Sequence, residues 1–266
     1  MTAPEHPTLA RRARHRLRAR LTEYPAVYLP FARRKYPGPS PEVISSETEF
    51  VIDGYTRSAS TFAVYALQLA QPTPIRLAHH LHAPAQLIAA ARNGVPALAV
   101  IREPQGAITS QLIREPDVAL RDALIAYARF YECLLPYRDK FVVADFEEVT
   151  KDFGAVIRRI NDRFGTRFCE FEPTEPNIAR CFELIKLRST LSPVLLGFES
   201  GTVTASELNR HVAALAGPQG PAPEAWVPSR EREKSKTALR DRWAQPGLAR
   251  PRARAQRAYE SFREIG

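Results

Sequence analysis

The sequence predicts an α/β fold, a parallel β-sheet flanked by helices on both faces in a single domain. Apolar runs of strand length (FVIDG at 50–54, IRLAH at 75–79, ALAVI at 97–101, KFVVADF at 140–146) alternate with stretches of helical periodicity, the pattern of β-α-β units. The polar features that stand out follow the carboxyl ends of those runs, where open parallel sheets bind ligands. At 266 residues and 44% hydrophobic, the chain can bury one substantial core, and its length does not force a second domain.

Residues 1–45 read as a basic N-terminal arm: a helical pattern over about 9–22, then the proline-punctuated YPAVYLPFARRKYPGPSPE, lying across a core that begins near Glu49. Residues 46–266 form the α/β domain. FVIDG leads into a helix over 60–71, IRLAH into 84–93 and ALAVI into 104–114; a long helix follows at 119–135, and KFVVADF leads into 151–164. Further helices are expected at 176–188 and 205–215. The Pro/Gly-rich AGPQGPAPEAWVPS, 216–229, has the length of a binding lid or a connector, and charged helices over 230–243 and 247–264 close the chain. There is no internal repeat.

The net charge of +9 and pI near 9.7 point to an anionic partner, and the dominance of arginine suits phosphate or carboxylate. The arginines cluster at the two ends (Arg11, Arg12, Arg14, Arg16, Arg18, Arg20; Arg250, Arg252, Arg254, Arg257) without aromatic interleaving, which argues against nucleic acid. Cys133, Cys169 and Cys181 form no C-x-x-C pair and are odd in number, so neither a disulfide framework nor a cysteine zinc site is indicated, and a reducing cytoplasm is expected. Arg and Pro interrupt the first forty residues throughout, leaving no membrane span or signal-like run. Oligomeric state is not legible.

In FVIDGYTRSASTFAVYAL, 50–67, a strand passes through a small-residue turn into a helix, so backbone N–H groups at a helix start can face an anion. Gly54, Ala59, Ser60 and Thr61 fall at the register of G-x-x-x-x-G-K-[ST]. Ala59 replaces the second glycine and Ser60 the lysine, while Arg57 supplies a cation earlier in the loop. The sheet is thus P-loop-like, but the loop suits an anion that needs less neutralisation and no Mg²⁺. The same stretch also fits an ordinary connection in which Ser58 and Ser60 cap the helix. Downstream, ALAVIREPQGAITS puts Arg102 directly after a strand, Pro104 at a first helical position and Ser110 two turns on, so that Arg102 and Ser110 can meet one phosphate. Alternatively, Arg102 pairs with Glu103 or Asp145 at the surface.

Together these motifs resemble the sulfotransferases that use 3′-phosphoadenosine 5′-phosphosulfate (PAPS), here a bacterial member. TRSASTF, 56–62, follows the family's Pro-Lys-Ser-Gly-Thr-Thr-Trp loop with Arg57 at the lysine and Phe62 at the aromatic. REPQGAITS, 102–110, follows Arg-Asn/Asp-Pro-x-Asp-x-x-x-Ser, keeping Arg, Pro and Ser at the same spacing, and VVADFEEV is similar to the family's strand ending in Glu-Asp-Leu. The resemblance covers about 48–165. It implies that the backbone of 58–61, including Ser58 and Ala59, and the side chains of Ser60 and Thr61 hold the 5′-phosphosulfate, that Arg102 and Ser110 hold the 3′-phosphate, and that Arg57 stabilises the departing phosphate oxygen. The product nucleotide would be adenosine 3′,5′-bisphosphate. VPSREREKSK, 227–236, occupies the place of the family's C-terminal nucleotide-covering segment, which offers Arg230, Arg232 and Lys234 as contacts; a solvated helix face is the other reading. The departures are the arginine for lysine, Ala59 for glycine, and Gly106 where an acid is common.

Sulfuryl transfer needs a group to take the acceptor's proton, and LAHHLHAPAQ supplies three histidines after the second strand. His82-Ala83-Pro84 matches the family's His-x-Pro, and His80 better matches the usual separation from the second motif; His82 is preferred. Zinc held by His80 and His82 lacks a third ligand at characteristic spacing, so no metal is assigned. Histidines hydrogen-bonded within the core are a further reading. Glu103 and Glu115 are lesser candidates for the base, and Asp145, Glu147 and Glu148 are expected to cap a helix or pair with arginine. The expected activity is transfer of a sulfuryl group from PAPS to a hydroxyl or amine of a small-molecule or carbohydrate acceptor. A nucleotide-dependent kinase or a non-catalytic nucleotide- or polyanion-binding protein are the alternatives.

Overall fold

In the computed structural model, described for residues 8–188, 192–214 and 239–263, the four apolar runs form parallel strands: β1 Phe50–Gly54, β2 Leu77–His79, β3 Ala97–Ile101 and β4 Val142–Asp145. Their order across the sheet is β2-β1-β3-β4, with Ile52 opposite His79, Gly54 opposite Val100 and Ile101 opposite Asp145. This register lines up the carboxyl ends of all four strands, so the loops that follow them meet along one edge. Gly54 is dictated by packing, since a Cβ there would stand 2.1 Å from the Val100 carbonyl oxygen.

Every strand residue is buried, because both faces are covered. On one face Val51, Ala78, Ala99, Ile101 and Val143 pack with α2 (Pro25–Lys35), α4 (Pro84–Asn93), α5 (Pro104–Arg114), α6 (Leu120–Glu132) and the last helix, Ala249–Arg263. On the other, Phe50, Ile52, Leu98, Val100 and Ala144 pack with α3 (Ser60–Ala70), α8 (Phe153–Phe164), α9 (Glu175–Leu187) and α10 (Pro193–Ser200). α1 (Leu9–Leu21) lies against α6, joined to it by Arg12 and Arg16 on Asp122.

The helices expected at 60–71, 84–93 and 104–114 form within a residue of those bounds. The helix expected at 151–164 is two: α7, Phe146–Lys151, starts immediately after β4, and α8 follows. Asp145 causes the early start by accepting from the Glu147 and Glu148 N–H groups while the Glu148 carboxylate accepts from the Asp145 N–H at 2.7 Å, a capping box. The stretch 25–35 is helical despite Pro30, with Tyr28, Leu29 and Ala32 buried in the core, and α10 is a helix the sequence pattern did not mark. The loop 216–229 with Arg230, Arg232 and Lys234 lies outside the described residues. No helix among the described residues is long and apolar enough to cross a membrane.

Candidate active site

A cavity of about 570 Å³ opens at the carboxyl edge of the sheet, within the range of small-molecule sites. It is lined by the β1–α3 loop (Thr56, Arg57, Ala59, Ser60, Thr61, Phe62), by His80 and His82 after β2, by Arg102 after β3, by Ser110, Arg114 and Glu115 of α5 and its end, and by Phe146 after β4. Ser40, Pro41, Thr150, Phe182, Ile185 and Arg188 complete the wall.

The loop's backbone is unusual. Arg57 and Ala59 have φ of 69° and 75°, the left-handed region that glycine enters most easily. Ala59 is the N-cap of α3, yet no side chain caps this helix, and its first intrahelical bond runs from the Ala63 N–H to the Ala59 carbonyl. Ser58 and Ser60 therefore do not cap α3, and the N–H groups of its first turn, with the positive end of the helix dipole, are left at the cavity. Ser60 is buried at 3% exposure and its Oγ has no hydrogen-bond partner. A buried hydroxyl left unmatched beside an uncapped helix start fits an anionic oxygen.

Arg57 Nε donates to Ser110 Oγ at 2.9 Å. Arg102 donates from Nη1 to the Arg57 carbonyl at 3.2 Å and stacks over Phe146, 4.0 Å from the ring centroid, while its own carbonyl accepts from Tyr127. Arg57, Arg102 and Ser110 are thus brought together. Arg114, one turn beyond Ser110 on α5, adds a cation that the motif did not mark; the i, i+4 spacing was its only signal. Glu103 accepts from the Gln105 and Gly106 N–H groups as the N-cap of α5 and does not line the cavity. A Cβ at position 106 would stand 2.2 Å from that carboxylate, which would have to swing aside to admit it.

The histidines divide into two roles. His82 Nδ1 lies 2.9 Å from the Gly54 carbonyl, so Nδ1 carries the proton and Nε2 is left as the acceptor. Its side chain is 30% exposed and lines the cavity. Beneath it, fully buried Asp53 accepts from the Gly54 N–H at 2.9 Å and the His82 N–H at 3.1 Å, and Gln86 lies 3.5 Å away. Burial pushes the Asp53 carboxyl up to about 7, against those N–H donors. Burial also holds His82 down at about 4, opposed by the bond to Gly54 and aided by Arg188, Arg18 and Arg57, so the imidazole is neutral at pH 7. His80, by contrast, is engaged at both nitrogens: Nε2 with Thr61 Oγ1 at 2.9 Å and Nδ1 with His79 Nδ1 at 2.6 Å. Burial drives His79 to about 3 and His80 well below its ordinary value. Both His80 and His82 have positive φ, 58° and 49°, which turns the chain sharply after β2 and aims the two rings differently.

His79, His80 and Glu199 bring ligand-type atoms within 4.8 Å of one another, a grouping that replaces the His80–His82 pair considered for zinc. Ring nitrogens 2.6 Å apart are at hydrogen-bond distance, whereas two ligands of a tetrahedral zinc with bonds of about 2.1 Å stand roughly 3.4 Å apart. Glu199 is also engaged, accepting from Arg188 Nε at 2.6 Å and from the Tyr65 hydroxyl at 2.5 Å. The cluster fits a hydrogen-bonded wall, with Arg188 reaching on to Ser40 at 2.8 Å. Sequence reasoning missed Asp53, Arg188 and Glu199. A lone acid inside the apolar run FVIDG was the one available signal for Asp53; nothing in the chain's spacing links 40, 188 and 199.

No family model and no curated protein matches the chain. Among solved structures, it is similar to the crystal structure of a mouse sulfotransferase complexed with PAP, at 11% identity over 80% of this chain and 90% of that one, with a TM-score of 0.37.

Proposed function

We propose that this protein is a sulfotransferase that binds PAPS in the cavity at the carboxyl edge of the sheet and acts on a hydroxyl or amine of a small-molecule or carbohydrate acceptor. The observation that carries the reading is that both sulfotransferase-like motifs and the His-x-Pro histidine open into one cavity. The uncapped start of α3 and the buried Ser60 hydroxyl fit a 5′-phosphosulfate, and Arg102 with Ser110 fits a 3′-phosphate.

Bound there, PAPS would supply the sulfuryl group, and adenosine 3′,5′-bisphosphate would be released. The chain's own part is positioning and charge. Thr61, fixed by His80, and Ser60 orient the anion at the helix start. Arg57, held by Ser110, places its guanidinium where negative charge grows as the bond to the nucleotide breaks. His82 Nε2 takes the acceptor's proton as the acceptor atom forms its new bond; the Gly54 carbonyl fixes the tautomer, and Asp53 lies 3.6 Å from Nδ1, where it steadies the imidazolium. Phe62, Phe182 and Ile185 give part of the cavity an apolar wall against which an acceptor can exclude water.

The test is calorimetric titration with adenosine 3′,5′-bisphosphate, AMP and ATP, followed by an acceptor screen with ³⁵S-labelled PAPS. Tight binding of the bisphosphate alone and label transfer to an acceptor support the reading. Equal affinity for ATP sinks it.

A further inference from the structure

The first two helices present apolar side chains on their outward sides. In α1 the sides that make intramolecular contact are polar: Arg12 and Arg16 both bind Asp122, and Arg12, His15 and Ala19 are its less exposed positions. At 100° per residue, Leu17 and Leu21 fall on the opposite side, flanked by Arg14 and Arg20. α2 repeats this. Tyr28, Leu29 and Ala32 are buried, whereas Tyr24, Val27, Phe31 and Arg34, spaced by three and four residues, face outward. Leu9, Leu17, Leu21, Tyr24, Val27 and Phe31 are the exposed large apolar side chains here, with Phe31 at 58%; the remaining one among the described residues is Leu135 at 36%. A cluster of this kind on one segment marks an interaction surface.

We propose that the outward face of α1 and α2 docks on an anionic lipid surface, with the apolar side chains entering the headgroup boundary and the cations meeting lipid phosphates. Charge selects this occupant. Of the six α1 arginines, Arg11 pairs with Asp117 and Arg12 and Arg16 with Asp122, while Arg14 and Arg20 flank the outward leucines; α2 ends in Arg33, Arg34 and Lys35, and the one acid between Leu9 and Lys35 is Glu23, held by Arg129 at 2.7 Å. A second copy in a two-fold dimer would set these cations against themselves with no acid on the face to neutralise them. An anionic bilayer satisfies both the apolar and the cationic elements at once. Docking would leave the protein peripheral, since neither helix is long and apolar enough to span.

The full chain should sediment with phosphatidylcholine vesicles that contain phosphatidylglycerol, weakly or not at all with phosphatidylcholine alone, and less as salt rises. Leu17→Asp with Phe31→Asp should lower vesicle affinity at least about tenfold at an unchanged melting temperature, as loss of apolar insertion demands. Leu135→Asp should have no effect. If the aspartate pair melts early, Leu17→Ser with Phe31→Ser replaces it. Arg14→Glu, Arg20→Glu and Arg34→Glu together should erase the preference for phosphatidylglycerol. The proposal is overturned if the wild-type protein ignores phosphatidylglycerol vesicles, if the Leu17/Phe31 variants bind them as the wild type does, or if light scattering shows a dimer that those variants dissociate.

Discussion

Arg57 and Ser110 are joined by a hydrogen bond of 2.9 Å that ties the β1–α3 loop to α5, although they are 53 residues apart in the chain. Arg102 closes the same corner by donating to the Arg57 carbonyl. A phosphate bound here, as proposed, would meet groups already held in place, so little side-chain entropy would remain to be lost on binding.

Removing Arg102 should therefore be felt as loss of affinity specific to a 3′-phosphate. Arg102→Ala should weaken adenosine 3′,5′-bisphosphate by about 1.5 to 3 kcal/mol, the scale of a charge-assisted hydrogen bond, and leave AMP nearly unchanged. Arg102→Lys should recover little, because the flat guanidinium stacked on Phe146 is lost with it. Calorimetry checks this; equal losses for the two nucleotides would mean that Arg102 serves the loop's shape and not the ligand.

His82 and His80 should separate in their phenotypes. His82→Ala should cut turnover by roughly 10² to 10⁴, the range of a lost general base, with adenosine bisphosphate affinity kept. His80→Ala removes partners of Thr61 and His79 inside the protein, so its main effect should be a stability loss of about 1 to 3 kcal/mol, read as a lower melting temperature. A His82→Ala enzyme that folds and turns over like the wild type would direct attention to Glu115, which lines the cavity where Glu103 does not.

The His82 imidazole should also report ligand binding. Arg188 and Arg57 are among the charges that hold its pKa down. A polyanion bound among the cavity's arginines offsets their field and favours the imidazolium, so the pKa must rise from about 4 when adenosine bisphosphate binds. NMR titration of the His82 ring carbon with and without the nucleotide gives the sign directly. A fall on binding would place the phosphates away from His82.

The sheet was legible because each strand is a mainly apolar run, and the helices after β2 and β3 begin at Pro84 and Pro104, residues suited to an N-terminus. That the β1–α3 loop, Arg102, Ser110 and His82 gather at the carboxyl edge was legible because local spacing carries them. α2 was not, since Pro30 reads as a breaker and only the burial of Tyr28, Leu29 and Ala32 shows why the helix persists. Ser40, Arg188 and Glu199 meet only through tertiary packing, which leaves no periodic trace in the chain. Ser58 and Ser60 have the composition of caps, but the left-handed Ala59 takes the N-cap position and neither hydroxyl caps the helix.

Ala59 makes a separate prediction. An alanine at φ 75° bears a steric cost of roughly 1 to 2 kcal/mol that glycine does not. Ala59→Gly should be neutral or stabilising by up to about 1 kcal/mol, after the greater chain entropy of glycine in the unfolded state is allowed for. Denaturant unfolding measures it. A loss above that size would mean the methyl group is a needed packing contact.

Stability should fall as the protein is acidified from about pH 6.5 to 4. Burial holds His79 near 3 and His82 near 4 and depresses His80 too, whereas in the unfolded chain each returns to 6.5. Between those values the unfolded chain binds more protons than the folded one, so acid favours unfolding. Asp53 acts in the opposite sense. Its carboxyl is raised from 3.8 to about 7, so its stabilising contribution is fully present below pH 3.8 and fades as pH rises through 7. Three imidazoles outweigh one carboxyl, and melting temperatures measured across this window should drop toward acid. Asp53→Asn removes the opposing contribution without removing the acceptor oxygen for the Gly54 and His82 N–H groups. The melting temperature of Asp53→Asn relative to wild type should therefore climb from pH 4 to 7. A wild-type protein as stable at pH 4 as at pH 6.5 would show that the fold does not hold these histidines neutral.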